Sequence, residues 1–434
     1  MTQRWSSLME NKKWDLVALA SIPLIMTLGN SMLIPILPQI SKALGISSFK
    51  VSMLITVYAV VAILLIPIAG YLSDRYGRKK IIIPSLIIAA LGGAVSAVAA
   101  WMLSGTAAYY VILAGRFLQG IGAAGAFPIV IPLVGDMFKE EEKVSKSLGI
   151  IETSNTFGKV VSPILGALLG SFIWFLPFIA IPVLCLISIV LVIFLVKTPK
   201  SNNDDKQSIR EFLKTTRQVL HEKGRWLYAI FAIGGIAMFG VFGVLFYLSE
   251  TLESTYNLHG VIKGLVLAIP LALLCLSSYL AGKFTGKNKA AKKWTGFAGM
   301  AILTASLIVT GFSAQIYFVV GMMTLGGIGI GMVLPCMDTL LTEGIEKEQR
   351  GTITSLYSSM RFIGVSLGPP VVSLLLGANH WVLFGTLAAV AGVGSLLTLF
   401  AVKPEAKKDD TEGNSYRVDF KKPQGSKKKG LVHK

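Results

Sequence analysis

The chain has 434 residues, of which 53% are hydrophobic and only 15% are charged. A soluble globular protein could not cover its surface with so few polar groups, so the composition excludes a soluble fold. The net charge of +18 would suit a nucleic-acid-binding protein, but the basic residues cluster between long apolar segments and therefore indicate membrane topology instead.

Long apolar segments follow one another from the amino terminus onwards. A helix that crosses the membrane needs about 20 apolar residues, so each segment is interpreted as a spanning helix, the first of them uncleaved. The sequence predicts twelve such helices, at residues 16–38, 50–72, 80–102, 108–138, 147–170, 173–196, 226–250, 261–282, 294–312, 316–340, 351–376 and 381–402. The predicted fold class is an all-α membrane protein.

The basic residues predict the orientation of these helices. The amino terminus, the even-numbered loops and the carboxyl tail hold 35 of the 41 Lys and Arg, whereas the odd-numbered loops hold only Lys42 and Lys50. Loops rich in Lys and Arg stay in the cytoplasm, so both termini are predicted to be cytoplasmic. We therefore expect a multi-pass protein of a bacterial plasma membrane.

Matching glycine and proline positions reveal an internal repeat. A Gly-x-Gly-x5-Pro motif begins at Gly120 and again at Gly327, 207 residues later, and a Gly-x4-Pro motif begins at Gly158 and again at Gly364. Many secondary transporters consist of two such repeats around a central site. The sequence thus predicts two pseudo-symmetric six-helix bundles.

The repeat divides the chain into four parts. Two bundles, residues 1–196 and 226–402, flank a polar cytoplasmic linker at 197–225, and a Lys-rich tail follows at 403–434. The linker is predicted to lie on the inner membrane surface. The composition of the tail is typical of disorder.

Three motifs resemble those of a known family. Between the second and third spans, the segment Gly70-Tyr-Leu-Ser-Asp74-Arg75-Tyr-Gly77-Arg78-Lys79-Lys80 resembles the signature loop of the major facilitator superfamily. In the first span, Leu28, Gly29, Pro35 and Pro38 resemble the motif of its twelve-span drug:proton antiporter branch. In the fourth span, Arg116, Gln119, Gly120 and Gly122 match a further family motif.

The resemblance implies a fold, a conformational latch and a function. In the family, the signature loop steadies one of two conformations through charged contacts, with an acid at the end of the fourth span as a partner. The corresponding latch residues are Gly70, Asp74, Arg75, Gly77, Arg78 and Asp136. The implied function is secondary active efflux of small amphipathic drugs or metabolites by alternating access, through proton-coupled antiport, with multidrug and antibiotic resistance as consequences.

Polar residues inside the predicted spans are candidates for the transport site, because an ionisable group in hydrocarbon is costly unless it faces a cavity or a partner. On the fifth span, Glu152, Asn155 and Lys159 recur at helical spacing and should face a central cavity. The full set predicted to bind substrate or couple its movement is Asn30, Arg116, Gln119, Glu152, Asn155, Lys159 and Arg361. Glu152 is the best-placed proton carrier, whereas Asp338, Glu250 and Glu253 are expected at the surface or in a gate.

Other interpretations remain open. The buried cations also favour a dedicated exporter of an anionic metabolite, a siderophore or a lipid-linked compound. A sensor that transports nothing is a third possibility, and the GxSxG pattern around Ser366 imitates a hydrolase motif without the required strand. The sequence predicts no enzyme activity, no cofactor and no metal site; the expected partners of the monomer are a small-molecule substrate, protons and membrane lipid, without nucleic acid.

Overall fold

The computed structural model describes residues 2–138, 141–197, 209–286, 288–345 and 347–402. Part of the predicted linker and the whole predicted tail lie outside these residues. The helices are α1 (Thr2–Ser31), α2 (Leu37–Leu44), α3 (Ser48–Tyr76), α4 (Arg78–Met102), α5 (Gly105–Met137), α6 (Glu141–Phe172), α7 (Leu176–Leu195), α8 (Ile209–Ser254), α9 (Gly260–Thr285), α10 (Lys289–Thr310), α11 (Ile316–Gly344), α12 (Lys347–Leu375) and α13 (His380–Phe400).

Two long helices differ from the rest in composition. Ten helical segments of the described chain are long and apolar enough to cross a membrane, and α6 and α12 are absent from that set. Yet α6 has 32 residues and α12 has 29, about 48 and 43 Å at 1.5 Å per residue, which is ample for a bilayer core of about 30 Å. Their lower apolarity reflects the polar residues that they carry along one face.

The first predicted span is interrupted. Regular helix ends at Ser31, a short 3₁₀ turn covers Ile34–Ile36, and α2 continues the chain to Leu44. Pro35 lies in the turn and has no backbone N–H for an intrahelical hydrogen bond, which explains the break. The predicted span 16–38 therefore does not continue as one helix to its end.

The predicted linker contains a helix that runs directly into the second half. Helix α8 begins at Ile209 and bends sharply at Gly224, where φ is 37° and the backbone is not helical. Glycine adopts this conformation without a Cβ clash. The bend separates the linker segment from the part of α8 that crosses the bundle.

Equivalent glycines permit close helix contacts in both halves, as the glycine repeat predicts. A Cβ on Gly120 of α5 would lie 2.6 Å from the Tyr58 carbonyl oxygen of α3, and one on Gly327 of α11 would lie 2.5 Å from the Pro270 carbonyl oxygen of α9. A glycine permits this close helix approach because it has no side chain. The repeated glycines thus make equivalent contacts in each half.

The halves meet mainly along two helix pairs, α3 with α12 and α6 with α9. Helix α3 begins at Ser48 and ends at Tyr76, so its two ends mark opposite faces of the bundle. We call the face with the α3–α4 loop the Asp74 end, and the face where α8 ends and α9 begins the Glu253 end.

Candidate functional site

The polar stripe on α6 faces the interior, as its spacing predicts. The Asn155 amide donates to both Glu152 carboxylate oxygens at 3.2 and 3.3 Å, and its oxygen accepts a hydrogen bond from the Thr27 hydroxyl of α1 at 2.6 Å. Asn155 is 3% exposed. It therefore anchors Glu152 and fixes the orientation of α6 against α1.

Lys159, two turns after Glu152, is a buried cation that lies against a cavity. Its exposed fraction is 9%, and among the described residues it has no ion pair within 4.0 Å and no hydrogen bond from its ammonium group. The cavity has a volume of about 10 Å³, so in this conformation it holds about one water molecule. Its other lining residues are Ser31, Ile34, Ser162, Pro163, Val241, Phe242, Leu245, Leu267 and Leu271.

The second half brings a cation and a carboxylate towards Lys159. Arg361 of α12 pairs with Asp338 of α11, with 3.7 Å between Nη1 and Oδ2. Lys159, Glu152, Asp338 and Arg361 interact electrostatically with one another, and we call these four residues the central charge cluster. The cluster joins α6 of the first half to α11 and α12 of the second.

The second-half side of this cluster is partly exposed. The Asp338 side chain is 30% exposed and that of Arg361 is 16% exposed. Both side chains also interact electrostatically with α6, so they lie near the interface between the halves. A soluble ion or a polar ligand could therefore approach Asp338 and Arg361.

Arg116 occupies a different environment, although it was predicted for the same site. It is fully buried at 0% exposure, donates to the Leu54 carbonyl oxygen at 2.8 Å, and also bonds the Asn30 and Gln119 side-chain oxygens. Its guanidinium lies 4.5 Å from the centre of the Tyr58 ring. In this conformation Asn30, Arg116 and Gln119 form a clamp that joins α1, α3 and α5, apart from the central charge cluster.

The predicted latch residues come together at the Asp74 end, with one exception. Arg78 lies 2.9 Å from the Asp74 carboxylate and also donates to the Asp136 carboxylate. Gly77 has a φ of 102°, which glycine tolerates best. Arg75 instead donates to the Tyr71 hydroxyl at 3.1 Å, so it does not join the carboxylates.

Gly70, the first residue of the predicted latch, lies where the halves meet. A Cβ on Gly70 would lie 3.8 Å from the Ser355 hydroxyl oxygen of α12. Its position links the signature loop to the second half. The role of all these residues as a switch stays a prediction.

The second half has its own ion pair at the Asp74 end. Lys292 at the start of α10 lies 2.7 Å from Glu343 near the end of α11. Glu343 is the repeat equivalent of Asp136, 207 residues away. The contact between the third and fourth spans of the first half is thus repeated with different residues.

A network of hydrogen bonds and ion pairs joins the halves at the Glu253 end. The buried Glu253 carboxylate lies 2.8 Å from Lys263 and 3.2 Å from Lys42, which belongs to the first half. Lys263 also donates to the Pro35 carbonyl oxygen at 2.7 Å, and Ser48 donates to Glu250 at 3.0 Å. These contacts close the Glu253 end and favour a gate role for Glu250 and Glu253.

Sequence reasoning missed two members of these networks. Lys263 lies in a predicted span but was not singled out, and Asp338 was expected at the surface or in a gate. Both could have been found by the same test that identified Lys159, because each is an ionisable group inside a predicted apolar span. Near a helix end, that test cannot distinguish a buried partner from a solvated side chain.

The geometry of the described residues supports neither a metal site nor a hydrolase nucleophile. The described part of the chain has no group of three His, Cys, Asp or Glu side chains that could hold a metal ion. Ser366 lies within α12 and its hydroxyl donates to the Ile363 carbonyl oxygen at 2.8 Å. It is a helix residue rather than a nucleophile on a strand-to-helix turn.

Comparison with known proteins identifies relatives over most of the chain. A sequence profile described as Major Facilitator Superfamily matches residues 19–369 and 264–429. The "Bacillibactin exporter" of Bacillus subtilis (strain 168) is 55% identical over 401 residues, which cover 92% of this chain and 98% of the relative. "Multidrug resistance protein 2" of the same strain is 23% identical over 400 residues, covering 89% and 95%.

A solved structure shares the fold. The crystal structure of a D-xylose-proton symporter superposes with a TM-score of 0.72 at 15% sequence identity, covering 90% of this chain and 97% of the other. This likeness and the family profile confirm the predicted fold class and family resemblance. The matched proteins are transporters, which agrees with the prediction that the chain is not an enzyme.

Proposed function

The chain belongs to the major facilitator superfamily, and from that premise we propose that it exports a siderophore. The siderophore would be similar to bacillibactin, for which its 55% identical relative, the bacillibactin exporter, is named. The protein is a multi-pass membrane transporter and not an enzyme. Of the interpretations open from the sequence, the dedicated exporter of an anionic metabolite or siderophore is thus preferred over broad drug efflux.

One observation carries this proposal: the unpaired, buried cation Lys159. A buried ammonium group that has no ion pair within 4.0 Å and no hydrogen bond among the described residues is held in an unfavourable environment, so its retention is best explained by a ligand. An acidic group of the substrate would supply a close partner, and Arg361 across the interface would bind a second acidic group. The two cations come from different halves, so a bound substrate would bridge them.

The transport cycle follows from the two ends of the bundle. In this proposal residues 1–196 and 226–402 rock against each other by alternating access. Both termini and the Asp74 end lie in the cytoplasm of a plasma membrane, as the loop charges predict. The Glu253 end then faces outwards, its network must open to release the substrate, and the Arg78 pairs with Asp74 and Asp136 stabilise one of the two states. The monomer is expected to carry out this cycle in membrane lipid.

The energy source is a separate part of the proposal. Proton-coupled antiport needs a carboxylate on the transport path, and Glu152 fits because it is held by Asn155 within the central charge cluster. A negative-inside membrane potential would also drive an anion outwards, by about 2.3 kcal/mol per charge for each 100 mV.

A second candidate is proton-coupled efflux of amphipathic drugs. It is favoured by the apolar cavity wall formed by Val241, Phe242 and Leu245 and by the 23% identity to Multidrug resistance protein 2. Such a wall accepts apolar bodies of many shapes. Under this alternative the cations would contribute little to binding.

Release from lipid vesicles tests the proposal directly. Purified protein is reconstituted into vesicles loaded with bacillibactin or with the cationic dye ethidium, and the release of each is followed with and without a proton gradient. We expect release of bacillibactin, and its loss in Lys159→Met, because methionine keeps the chain length but removes the charge. Lys50→Met, which removes an exposed cation outside the site, should behave as wild type.

Each outcome selects one interpretation. Release of ethidium alone, unaffected by Lys159→Met, would support the drug exporter and contradict the siderophore proposal. Release of neither compound would leave the sensor interpretation. Loss of the effect of the proton gradient in Glu152→Gln would identify Glu152 as the proton carrier.

A further inference from the structure

The ion pair between Arg361 and Asp338 is unusually loose for its position. Its shortest N···O distance is 3.7 Å, whereas the buried pair of Lys263 with Glu253 has 2.8 Å. A separation of 3.7 Å exceeds that of a charge-assisted hydrogen bond, normally about 2.7–2.9 Å. The two groups attract each other but are not locked together.

Two polar atoms next to this pair have no hydrogen-bond partner. They are Oδ1 of Asp338 and the hydroxyl oxygen of Tyr357, both buried. Tyr357 precedes Arg361 by one helical turn and its ring centre lies 5.8 Å from the guanidinium. The two side chains lie near enough to attract each other, but neither atom makes a hydrogen bond within 3.5 Å, so the Asp338 carboxylate is not fixed by a short contact.

The ionisable groups around Asp338 come from three helices. They are Arg361 and Tyr357 on α12, Glu152 and Lys159 on α6, and Cys336 on α11 itself. The central charge cluster contains two cations and two carboxylates, so its formal charge is zero when all four are ionised. An additional anion therefore cannot be accommodated next to Arg361 without repulsion from Asp338.

We propose that Asp338 is an internal competitor of the substrate: its carboxylate occupies Arg361 while the site is empty, and an acidic group of the substrate displaces it. This inference rests on the proposed function as exporter of an acidic siderophore. Asp338 is thus a specificity-determining residue. It rejects ligands whose acidic group binds Arg361 too weakly to displace the carboxylate.

The competition links substrate binding to a proton on Asp338, which is distinct from the proton that Glu152 would exchange in antiport. A protonated Asp338 no longer competes for Arg361, so protonation of Asp338 and binding of the anion favour each other. Lowering the pH should therefore strengthen substrate binding at this site. Removal of the carboxylate should abolish that part of the pH dependence.

Binding of bacillibactin to the purified full-length protein tests the inference. We compare wild type with Asp338→Asn, which keeps the shape of the side chain but removes its charge. We expect binding to become tighter by about two- to fivefold, the effect of one partly exposed ion pair, and to depend less on pH. In the Arg361→Gln background, Asp338→Asn should not tighten binding, because the Asp338 carboxylate no longer competes with the substrate for Arg361.

The controls separate this inference from the proposed function. Asp338→Glu keeps a titratable carboxylate, so its binding of bacillibactin should still strengthen as the pH falls. The inference would be overturned if wild type binds bacillibactin and Asp338→Asn binds it no more tightly, with the same pH profile. The proposed function would then remain intact. If Asp338→Asn does not fold, wild-type binding that fails to strengthen at lower pH would overturn it. No binding by any variant would overturn both.

Discussion

Arg116 and Arg361 are two arginines at membrane depth whose surroundings differ. Each lies near a tyrosine ring, Tyr58 at 4.5 Å and Tyr357 at 5.8 Å. Arg116 is fully buried and held by three acceptors from three helices, whereas Arg361 remains partly exposed and has one loose carboxylate partner. A buried charge whose donors are occupied joins helices, and one with free donors is available to a ligand.

The largest effect on folding stability is expected from substitution of Arg116, the tightly bound arginine. Arg116→Met leaves the acceptors on Leu54, Asn30 and Gln119 without a donor, at about 1–3 kcal/mol for each buried unsatisfied group. We therefore expect a loss of several kcal/mol of folding stability, measured as a lower unfolding temperature in detergent and poor recovery of folded protein. Arg361→Met is the matched variant, and it should lower the unfolding temperature much less. Equal losses in both variants would remove the distinction between the two arginines.

Substitution of Lys159 is expected to change folding stability by an intermediate amount and in the opposite direction. Lys159→Met removes a buried cation that has no ion pair within 4.0 Å among the described residues, so stability should stay the same or rise by about 1 kcal/mol. The unfolding temperature in detergent measures this change, and transport of bacillibactin should be lost in the same protein. A strongly destabilised Lys159→Met would indicate that the ammonium group has a structural partner, and it would contradict the assignment of Lys159 to a ligand.

The smallest effect is expected at the Glu253 end. Lys42 is 64% exposed and contacts Glu253 at 3.2 Å across the halves, so Lys42→Gln should cost less than about 1 kcal/mol. Because the lost contact joins the halves only while this end is closed, the open state should become slightly more populated. The readout is faster labelling of Ser31→Cys, at the central cavity, by an impermeant maleimide added from the Glu253 side, in protein without its native cysteines.

Lys50→Gln provides the control for this experiment. Lys50 is an exposed lysine in the same region of the chain and has no ion pair within 4.0 Å among the described residues. Its substitution should leave the labelling rate unchanged. Equal acceleration by both substitutions would indicate a general effect of surface charge instead of the loss of a gate contact.

The sequence alone determined the all-α membrane fold class, the order of the apolar segments along the chain and the internal repeat. Apolar length decides whether a segment can cross a bilayer, and this property is local. The glycines at 120 and 327 were equally informative, since only a residue without a side chain permits the backbone contacts that both make. The polar stripe on α6 was predictable from its spacing, because helical periodicity places Glu152, Asn155 and Lys159 on one face.

Only the tertiary structure decided how each buried charge is paired. Asn30 and Arg116 are separated by 86 residues, and Asp338 meets Arg361 from a neighbouring helix, so their contacts depend on how the helices rotate and pack. Hydropathy places a residue at a depth in the membrane but does not define what it faces. For this reason the sequence assigned Arg116, Lys159 and Arg361 to one site, while the packing of the helices satisfies Arg116 within the first half and leaves Lys159 and Arg361 at the interface.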